Sequence, residues 1–472
     1  MSGRSQRPVG RGRTTDRRPG RPADTSRAEP AGRLARHLAL MITEAVVRDR
    51  LSLDRALPHL LSNERFARLD PRDKAFARLL AMTVLRRHAD LDRLVGQFLE
   101  KPLPEDATRI RLILLAGAAE LTLLAVAPHA ALSNAVELTR LSPKTSHFDR
   151  LANAILRRIS EKGDERLTET ADITSNFPSW MIEGWREAYG PEMTGRIATA
   201  SIAEAALDLA VKVPARTEAL AEQLGAVVLD TGTLRRPAGG RIEDLPGYSE
   251  GEWWVQDAAA SLPARLLGTA PGETVLDLCA APGGKTAQLA ASGAEVTAVD
   301  VSFDRLARLA QNLTRLGLEA HAIPADATTW RGGTAFDRIL LDAPCSSTGT
   351  IRRHPDILHL KRAEDIHALT DIQERLLRNA ASQLRVGGTL VYCTCSLEPA
   401  EGEARIAAFL ANPGSARLTF RRQPITPEEV GGHSDWITPA GDLRTFPFHL
   451  PAEDPRLAGI DGFFAARLVR TT

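Results

Sequence analysis

The segment Leu276–Thr286, which reads LDLCAAPGGKT, constrains the fold of this chain more than any other feature. Its first residues favour a strand, and the proline and glycines that follow predict a tight turn opening a helix. Short β-rich runs at 274–278, 295–301, 336–341 and 388–392 predict strands, and helical patterns at 303–316 and 363–384 separate them. Because parallel strands need helical crossovers, this alternation predicts a parallel sheet with helices on both faces. We therefore predict an α/β domain over residues 256–472.

The front of the chain has a different pattern, which is helical from residue 33 to residue 163. Apolar side chains recur at helical spacing over 76–84, and Pro71 suits the first turn of that helix. The run Ile110–Val126 is apolar nearly all round and predicts a central buried helix. We predict an all-α bundle here, followed by a small α/β linker region at 164–255.

The distribution of charge changes what the overall composition implies. The formal net charge of +1 argues by itself against a nucleic-acid partner. Residues 1–30, however, hold eight arginines and only three acidic residues, and they carry almost no large apolar side chains. We predict that residues 1–32 form a disordered basic arm, either a solvated tail or a segment that attracts phosphates.

Cysteine usage and hydropathy indicate where the protein works. None of the four cysteines precedes Cys279, which excludes a secreted scaffold stapled by disulfides. The most apolar long segment, Leu112–Ala127, is 16 residues long and contains Glu120, which makes it too short to span a bilayer. We expect a cytoplasmic, monomeric protein with no membrane association.

The turn within Leu276–Thr286 predicts a nucleoside site. Backbone amides and a helix N-terminus would face a polar ligand, and Asp300, at the end of the next strand, could accept hydrogen bonds from a ribose. The candidate cofactor-binding residues are Cys279, Ala280, Ala281, Pro282, Gly283, Gly284, Lys285, Asp300, Asp326 and Asp342. A phosphate-binding P-loop is an alternative, but Cys279 stands where its first glycine is required.

Two further motifs, Leu341–Ser347 and Tyr392–Ser396, follow predicted strands. Both lie at the sheet edge where ligands bind, and they place Cys345 and Cys395 beside Asp342. Zinc binding is the competing interpretation, but the spacing of Cys393 and Cys395 is not that of a zinc site and no matching pair follows. We predict thiol chemistry and no metal.

Taken together, these motifs resemble the Sun-type family of RNA cytosine-5 methyltransferases, which use S-adenosylmethionine. The resemblance rests on Asp277–Thr286, Asp342–Ser346, Arg353–Asp356, Thr394–Ser396 and Asp461–Phe464. The front half is similar to a NusB-type RNA-binding helical domain at Leu114–Leu121, Val136–Leu138 and Asn153–Arg157. Within the family, that appendage is characteristic of the bacterial enzymes that methylate small-subunit (16S) ribosomal RNA.

The resemblance implies a multidomain chain: a NusB-like bundle, an RNA-binding linker region, and a Rossmann-like S-adenosylmethionine-dependent methyltransferase domain acting on RNA. It also implies that Cys395 attacks carbon 6 of cytosine and that Cys345 assists release. Asp342 would bind the base, and Lys285 would bind the base or lower the thiolate pKa.

Three points stay open at this stage. DNA cytosine-5 methyltransferases use a Pro-Cys cysteine as nucleophile, so the roles of Cys345 and Cys395 could be exchanged. A noncatalytic RNA-binding or assembly factor that keeps the fold is the alternative function. We also expect His354 and Asp356 to lie on a loop that closes over the substrate.

Overall fold

The computed structural model describes Gly3 and residues 31–169, 172–414 and 418–472. Of the predicted basic arm at 1–32, all but Gly3, Ala31 and Gly32 therefore lies outside the described residues.

The front domain is a helical bundle, as the apolar periodicity predicted. Its helices are α1 (Ala31–Val47), α2 (Leu53–Leu61), α3 (Glu64–Ala67), α4 (Pro71–Arg86), α5 (His88–Gln97), α6 (Thr108–Thr122), α7 (Pro128–Arg140) and α8 (Asp149–Glu169). Pro71 occupies the first turn of α4, and α6 is the central helix, buried on nearly all sides. Its Glu120 accepts hydrogen bonds from Arg36 at 2.8 and 3.0 Å, which stabilises a carboxylate inside the bundle. The helix α8 continues past residue 163, where the bundle was predicted to end.

A helical segment that is kinked at Gly190 and a small antiparallel sheet follow the bundle. They comprise α9 (Ser179–Ser201), β1 (Leu207–Val211), α10 (Thr217–Leu224), β2 (Val227–Val228), β3 (Leu234–Arg236) and β4 (Trp253–Val255). The strand order is β2-β3-β1-β4, and α10 packs on this sheet through Leu220 and Leu224. The helix α9 instead packs against the C-terminal domain, where Trp185 Nε1 donates to Glu398 at 3.0 Å.

The C-terminal domain surrounds an eight-stranded sheet. Its elements are α11 (Ala258–Leu266), β5 (Thr274–Leu278), α12 (Gly284–Ala291), β6 (Glu295–Asp300), α13 (Phe303–Leu316), β7 (His321–Pro324), β8 (Phe336–Asp342), α14 (Ile357–Leu360), α15 (Ala363–Gln383), β9 (Leu384–Thr394), α16 (Glu403–Ala411), β10 (Phe420–Arg422), β11 (Leu443–Thr445) and β12 (Phe463–Arg470). The strands β7, β6, β5, β8 and β9 are parallel in that order.

The predicted strands are parallel to one another, and antiparallel strands that were not predicted extend the sheet on one side. The strand β12 runs antiparallel to β9, and both β10 and β11 pair antiparallel with β12. The chain after α16 forms loops and short strands rather than another helical crossover, so it enters β12 from the end at which β9 finishes. As a result, the start of β12 lies at the carboxyl edge of the parallel strands, with Phe464 opposite Thr394.

The helical bundle contacts the loop that follows the Cys345 turn. Arg86 of α4 donates to the main-chain oxygen of Arg352 at 2.6 Å, and the amide of Leu53 donates to Asp356 Oδ2 at 3.0 Å. His359 Nε2 lies 2.9 Å from the main-chain oxygen of Leu85. The buried carboxylate of Asp356 thus faces the helical bundle, and the closing of this loop over a substrate stays a prediction.

No helix in the described part of the chain combines the length and apolar character that a membrane crossing requires. Over the same residues, no three His, Cys, Asp or Glu side chains are grouped so that they could hold a metal ion.

Candidate active site

The two predicted cysteines meet at the carboxyl edge of the sheet. Cys345 lies in the turn after β8, and Cys395 directly follows β9, the parallel neighbour of β8. Their Sγ atoms are 3.6 Å apart. Cys345 is buried, whereas Cys395 is partly exposed, so Cys395 is the thiol that a substrate can approach.

The surroundings give these two thiols opposite acidities. The hydrogen bond with Cys345 is the largest influence lowering the pKa of Cys395, and Lys285 lowers it further. The pKa of Cys345 is raised by the same hydrogen bond and by burial. Burial also raises the pKa values of Cys279 and Cys393. Because the thiolate is the nucleophilic form, these directions favour Cys395 over the other three cysteines for nucleophilic attack.

Asp342 and Lys285 form an ion pair beside these thiols. Lys285 Nζ lies 2.7 Å from Asp342 Oδ2 and 5.2 Å from the centre of the Phe463 ring. Burial opposes the charge on Lys285, but Asp342 outweighs it, and the pKa of Lys285 is raised. Cys393 is buried in the core and donates weakly to Asp342 Oδ1 at 3.4 Å. One carboxylate is thus fixed at the edge of the site with about a third of its side chain (32%) exposed.

The turn after β5 brings its predicted residues together but uses its amides differently from the prediction. The amide of Ala280 donates to Val299 O at 3.2 Å, that of Ala281 to Asp300 Oδ2 at 3.1 Å, and that of Gly283 to Ala280 O at 2.9 Å. The expectation that the amides of Ala280 and Ala281 face a ligand is therefore wrong. They fold the turn itself and lock it to the neighbouring strand.

Gly283 is required by this turn. Its φ is 102°, a left-handed conformation, and a β-carbon there would lie 2.7 Å from Leu309 Cγ. Gly284 and Lys285 then begin α12, and Pro282 is exposed at the tip of the turn. Lys285 is thereby carried on the first turn of a helix that points it at Asp342.

Asp300 and Asp326 follow the adjacent strands β6 and β7. Asp300 accepts from the amides of Ala281 and Ser302, at 3.1 and 2.9 Å, and is 2% exposed beneath Arg305. Asp326 is exposed and accepts from the amide of Thr328 at 2.8 Å. Each carboxylate oxygen has a further lone pair for a ribose hydroxyl. A nucleoside also needs apolar surface beside these acceptors.

Two exposed apolar side chains supply such a surface. Val301 and Phe303, which flank the turn after Asp300, are 76% and 72% exposed. Acidic acceptors beside exposed apolar groups at the ends of adjacent parallel strands fit a nucleoside-containing cofactor.

The structure adds contacts that the sequence did not reveal. Gly349 donates its amide to Cys395 O at 3.0 Å and accepts from the amide of Gly462 at 2.9 Å. Arg353 pairs with the buried Asp461, with Nε 3.2 Å from Oδ1. Arg353 and Asp461 both belong to motifs identified from the sequence. Because they lie far apart in the chain, their contact could not be predicted.

Comparisons with known proteins extend over both large domains. A family model described as 16S rRNA methyltransferase RsmB/F matches residues 264–469, and one described as the NusB family matches residues 33–161. The ribosomal RNA small subunit methyltransferase B of Escherichia coli O1:K1 / APEC is 35% identical over 452 residues, which cover 92% of this chain and 98% of that protein.

Two solved structures share the fold. The crystal structure of the protein PH0851 has a TM-score of 0.71 at 21% identity and covers 94% of this chain and 99% of its own. NSun6 from Pyrococcus horikoshii, crystallised with SFG, has a TM-score of 0.51 at 20% identity, covering 63% of this chain and 99% of that one.

Proposed function

Since this chain belongs to the 16S rRNA methyltransferase RsmB/F family, we propose that it transfers a methyl group from S-adenosylmethionine to carbon 5 of a cytosine in small-subunit ribosomal RNA. The observation that carries this proposal is the contact of the Cys345 and Cys395 thiols beside the Asp342–Lys285 pair. A noncatalytic assembly factor would need neither feature. The reaction takes place in the cytoplasm, on RNA that the helical bundle and the small sheet help to bind.

Cys395 is the nucleophile in this proposal. Carbon 5 of cytosine is a poor nucleophile, and the addition of a thiolate to carbon 6 moves the electrons of the 5,6 double bond towards carbon 5. S-adenosylmethionine, when bound, supplies an electrophilic methyl group. The partly exposed, acidified Sγ of Cys395 suits the first addition.

Cys345 assists the release of the product. After methylation, the proton on carbon 5 leaves to water, the double bond re-forms, and the bond between carbon 6 and Cys395 Sγ breaks. The Cys345 thiol, whose raised pKa keeps it protonated, lies 3.6 Å from the departing sulfur and can donate a hydrogen bond to it. This contact favours elimination by stabilising the thiolate that leaves.

Asp342 and Lys285 hold the base in this proposal. The free lone pairs of Asp342 accept hydrogen bonds from the polar edge of a cytosine that has left its stack. Lys285 holds this carboxylate in place, and its positive charge favours the thiolate of Cys395.

The cofactor lies along the turn Cys279–Gly284 in this proposal. Asp300 and Asp326 would hold the ribose and the neighbouring polar groups, and Asp342 would complete the acidic set that faces the cofactor. The fit rests on the acidic side chains and on the exposed Val301 and Phe303, rather than on the amides of the turn.

The function is tested by incubating the protein with 16S ribosomal RNA and radiolabelled S-adenosylmethionine, followed by bisulfite sequencing. A single new 5-methylcytosine is the expected result. If no cytosine of the small-subunit RNA is methylated, either in free RNA or in 30S particles, the ribosomal assignment falls.

The cysteine roles are tested by replacing each thiol separately. Cys395→Ala should abolish methylation and form no covalent RNA adduct, whereas Cys345→Ala should accumulate a denaturation-resistant adduct because release is impaired. Cys393→Ala is the matched control, since this buried cysteine contacts Asp342 but neither reacting thiol, and it should methylate within about threefold of the wild type. Adduct formation by Cys395→Ala and none by Cys345→Ala would exchange the two roles.

A further inference from the structure

Glu401 carries a fully buried carboxylate close to the two cysteine-bearing turns. Its oxygens accept from the amide of Ser346 at 3.0 and 3.1 Å and from Ser346 Oγ at 2.5 Å. They also accept from Ser396 Oγ at 2.6 Å and from Gln373 Nε2 at 3.0 Å. All of these donors, within the described residues, are neutral groups.

The two serines make this arrangement specific to the site. Ser346 directly follows Cys345, and Ser396 directly follows Cys395. Their hydroxyl oxygens lie 3.0 Å apart and both bond to the same oxygen, Glu401 Oε2. One carboxylate therefore connects the turn after β8 to the turn after β9, on the side of the main chain that is buried.

We propose that Glu401 is a positioning residue that holds these two turns together, so that the thiols of Cys345 and Cys395 stay in contact. The inference deepens the proposed function and rests on it for its catalytic consequence. The two serine hydroxyls also contact each other, and the amide of Gly349 donates to Cys395 O, but Glu401 is the charged acceptor that bonds to both turns. A displacement of about 1 Å at a reacting group can cost about 100-fold in rate.

A carboxylate suits this position better than an amide of the same size. A carboxylate only accepts, and its two oxygens can take all five of these bonds. A glutamine with its NH₂ group at the Oε2 position would donate there instead of accepting, so both serine hydroxyls would have to turn and give up the bonds that they donate. Burying a charge is costly, and its presence here indicates that its acceptor capacity is needed.

Glu401 is also held by bonds other than those to the two serines. Its main-chain oxygen accepts from the hydroxyl of Tyr392, a buried residue of β9, at 2.8 Å. Gln373, which donates to the carboxylate, lies on α15 and also donates to Pro344 O at 2.9 Å. The carboxylate is thus fixed by a strand and a helix and can set the position of both turns.

The test compares Glu401→Gln with the control Asp442→Asn, which alters a buried carboxylate of the same domain that pairs with Arg422 at 3.0 Å. Iodoacetamide labelling, read by mass spectrometry across a pH series, measures which of Cys345 and Cys395 reacts and requires no methylation. The wild type and Asp442→Asn should label Cys395 preferentially. Glu401→Gln should lose this preference.

Kinetics supply the second readout. Glu401→Gln should lower kcat by about 100-fold and leave KM for S-adenosylmethionine within about twofold, because the cofactor turn is untouched. If labelling stays selective and kcat stays within about threefold of the control, the proposal is overturned. A wild type that labels selectively but methylates no RNA would contradict the proposed function and leave the role of Glu401 in the thiol contact supported.

Ser396→Ala keeps the test decisive if Glu401→Gln does not fold. This variant removes the bond from Ser396 Oγ to Glu401 at 2.6 Å, together with the contacts of that hydroxyl with Ser346 Oγ at 3.0 Å and with the amide of Glu398 at 2.9 Å. It leaves the carboxylate and its bonds to Ser346 intact. It should reduce the labelling preference for Cys395 by about tenfold, the effect of losing one charge-assisted hydrogen bond. Labelling identical to that of the wild type would overturn the proposal.

Discussion

Replacing Lys285 with methionine removes the positive charge from the Asp342 pair while keeping a long apolar side chain over Phe463. Removing one partner of a fully buried ion pair costs about 3–5 kcal/mol, because the remaining charge is left unpaired. Lys285 is 11% exposed, but Asp342 is 32% exposed, so water can take over part of the lost interaction. We expect Lys285→Met to lower the free energy of unfolding by about 2–3 kcal/mol.

The same variant should change the acidity of the reactive thiol. Lys285 is one of the groups that lower the pKa of Cys395, so its removal should raise that pKa. Urea denaturation measures the loss of stability, and the pH dependence of Cys395 alkylation measures the acidity. Lys101→Met, at an exposed position of the helical bundle, is the matched control and should change stability by less than about 0.5 kcal/mol. A Lys285→Met protein as stable as this control, with an unchanged alkylation profile, would refute the structural importance of the pair.

Three other changes test separate parts of the structure. Asp300→Asn should weaken the binding of S-adenosylhomocysteine, measured by calorimetry, by about 10- to 100-fold, because hydrogen bonds to a charged acceptor are lost. An unchanged affinity would place the cofactor elsewhere. Burial lowers the pKa of His359 to about 4, below the 6.5 of a free imidazole, so its contribution to stability is present above pH 6.5 and is lost as the pH falls towards 4. In urea denaturation, the free energy of unfolding of His359→Asn should therefore fall by about 1–2 kcal/mol less than that of the wild type between pH 7 and pH 5. Equal falls in the two proteins would contradict this burial. Gly349→Ala should destabilise the protein by about 3 kcal/mol, because a β-carbon there would collide with the main chain of Gly462. The control Gly96→Ala, which has open space around it, should not be destabilised in this way. Equal melting temperatures of the two variants would contradict the close packing.

Local patterns in the sequence were sufficient to predict most of the C-terminal domain. The strand at 274–278 and the helix at 303–316 have the predicted bounds, because each is set by its own periodicity and by adjacent turn residues. The four predicted catalytic side chains also lie together, since parallel strands that end in sequence motifs bring those motifs to one edge.

Contacts between distant segments could not be predicted in this way. Glu401 stands among other acidic residues, and nothing local indicates that it meets Ser346, 55 positions earlier. The antiparallel direction of β12 depends on the path of a loop-rich segment without regular periodicity. The amide of Ala281 is bonded within the protein because Asp300, on the neighbouring strand, accepts from it.

The hydrogen bonds between the helical bundle and the segment at 352–359 make the two domains depend on each other. A descendant that lost its first domain would leave the main-chain oxygen of Arg352 without Arg86 and the buried carboxylate of Asp356 without the amide of Leu53. Both groups would then require new partners within a few residues of the Cys345 turn. The bundle is therefore a structural support of the catalytic domain, and the effects on stability of substitutions at Arg86 and in this loop are expected to be coupled.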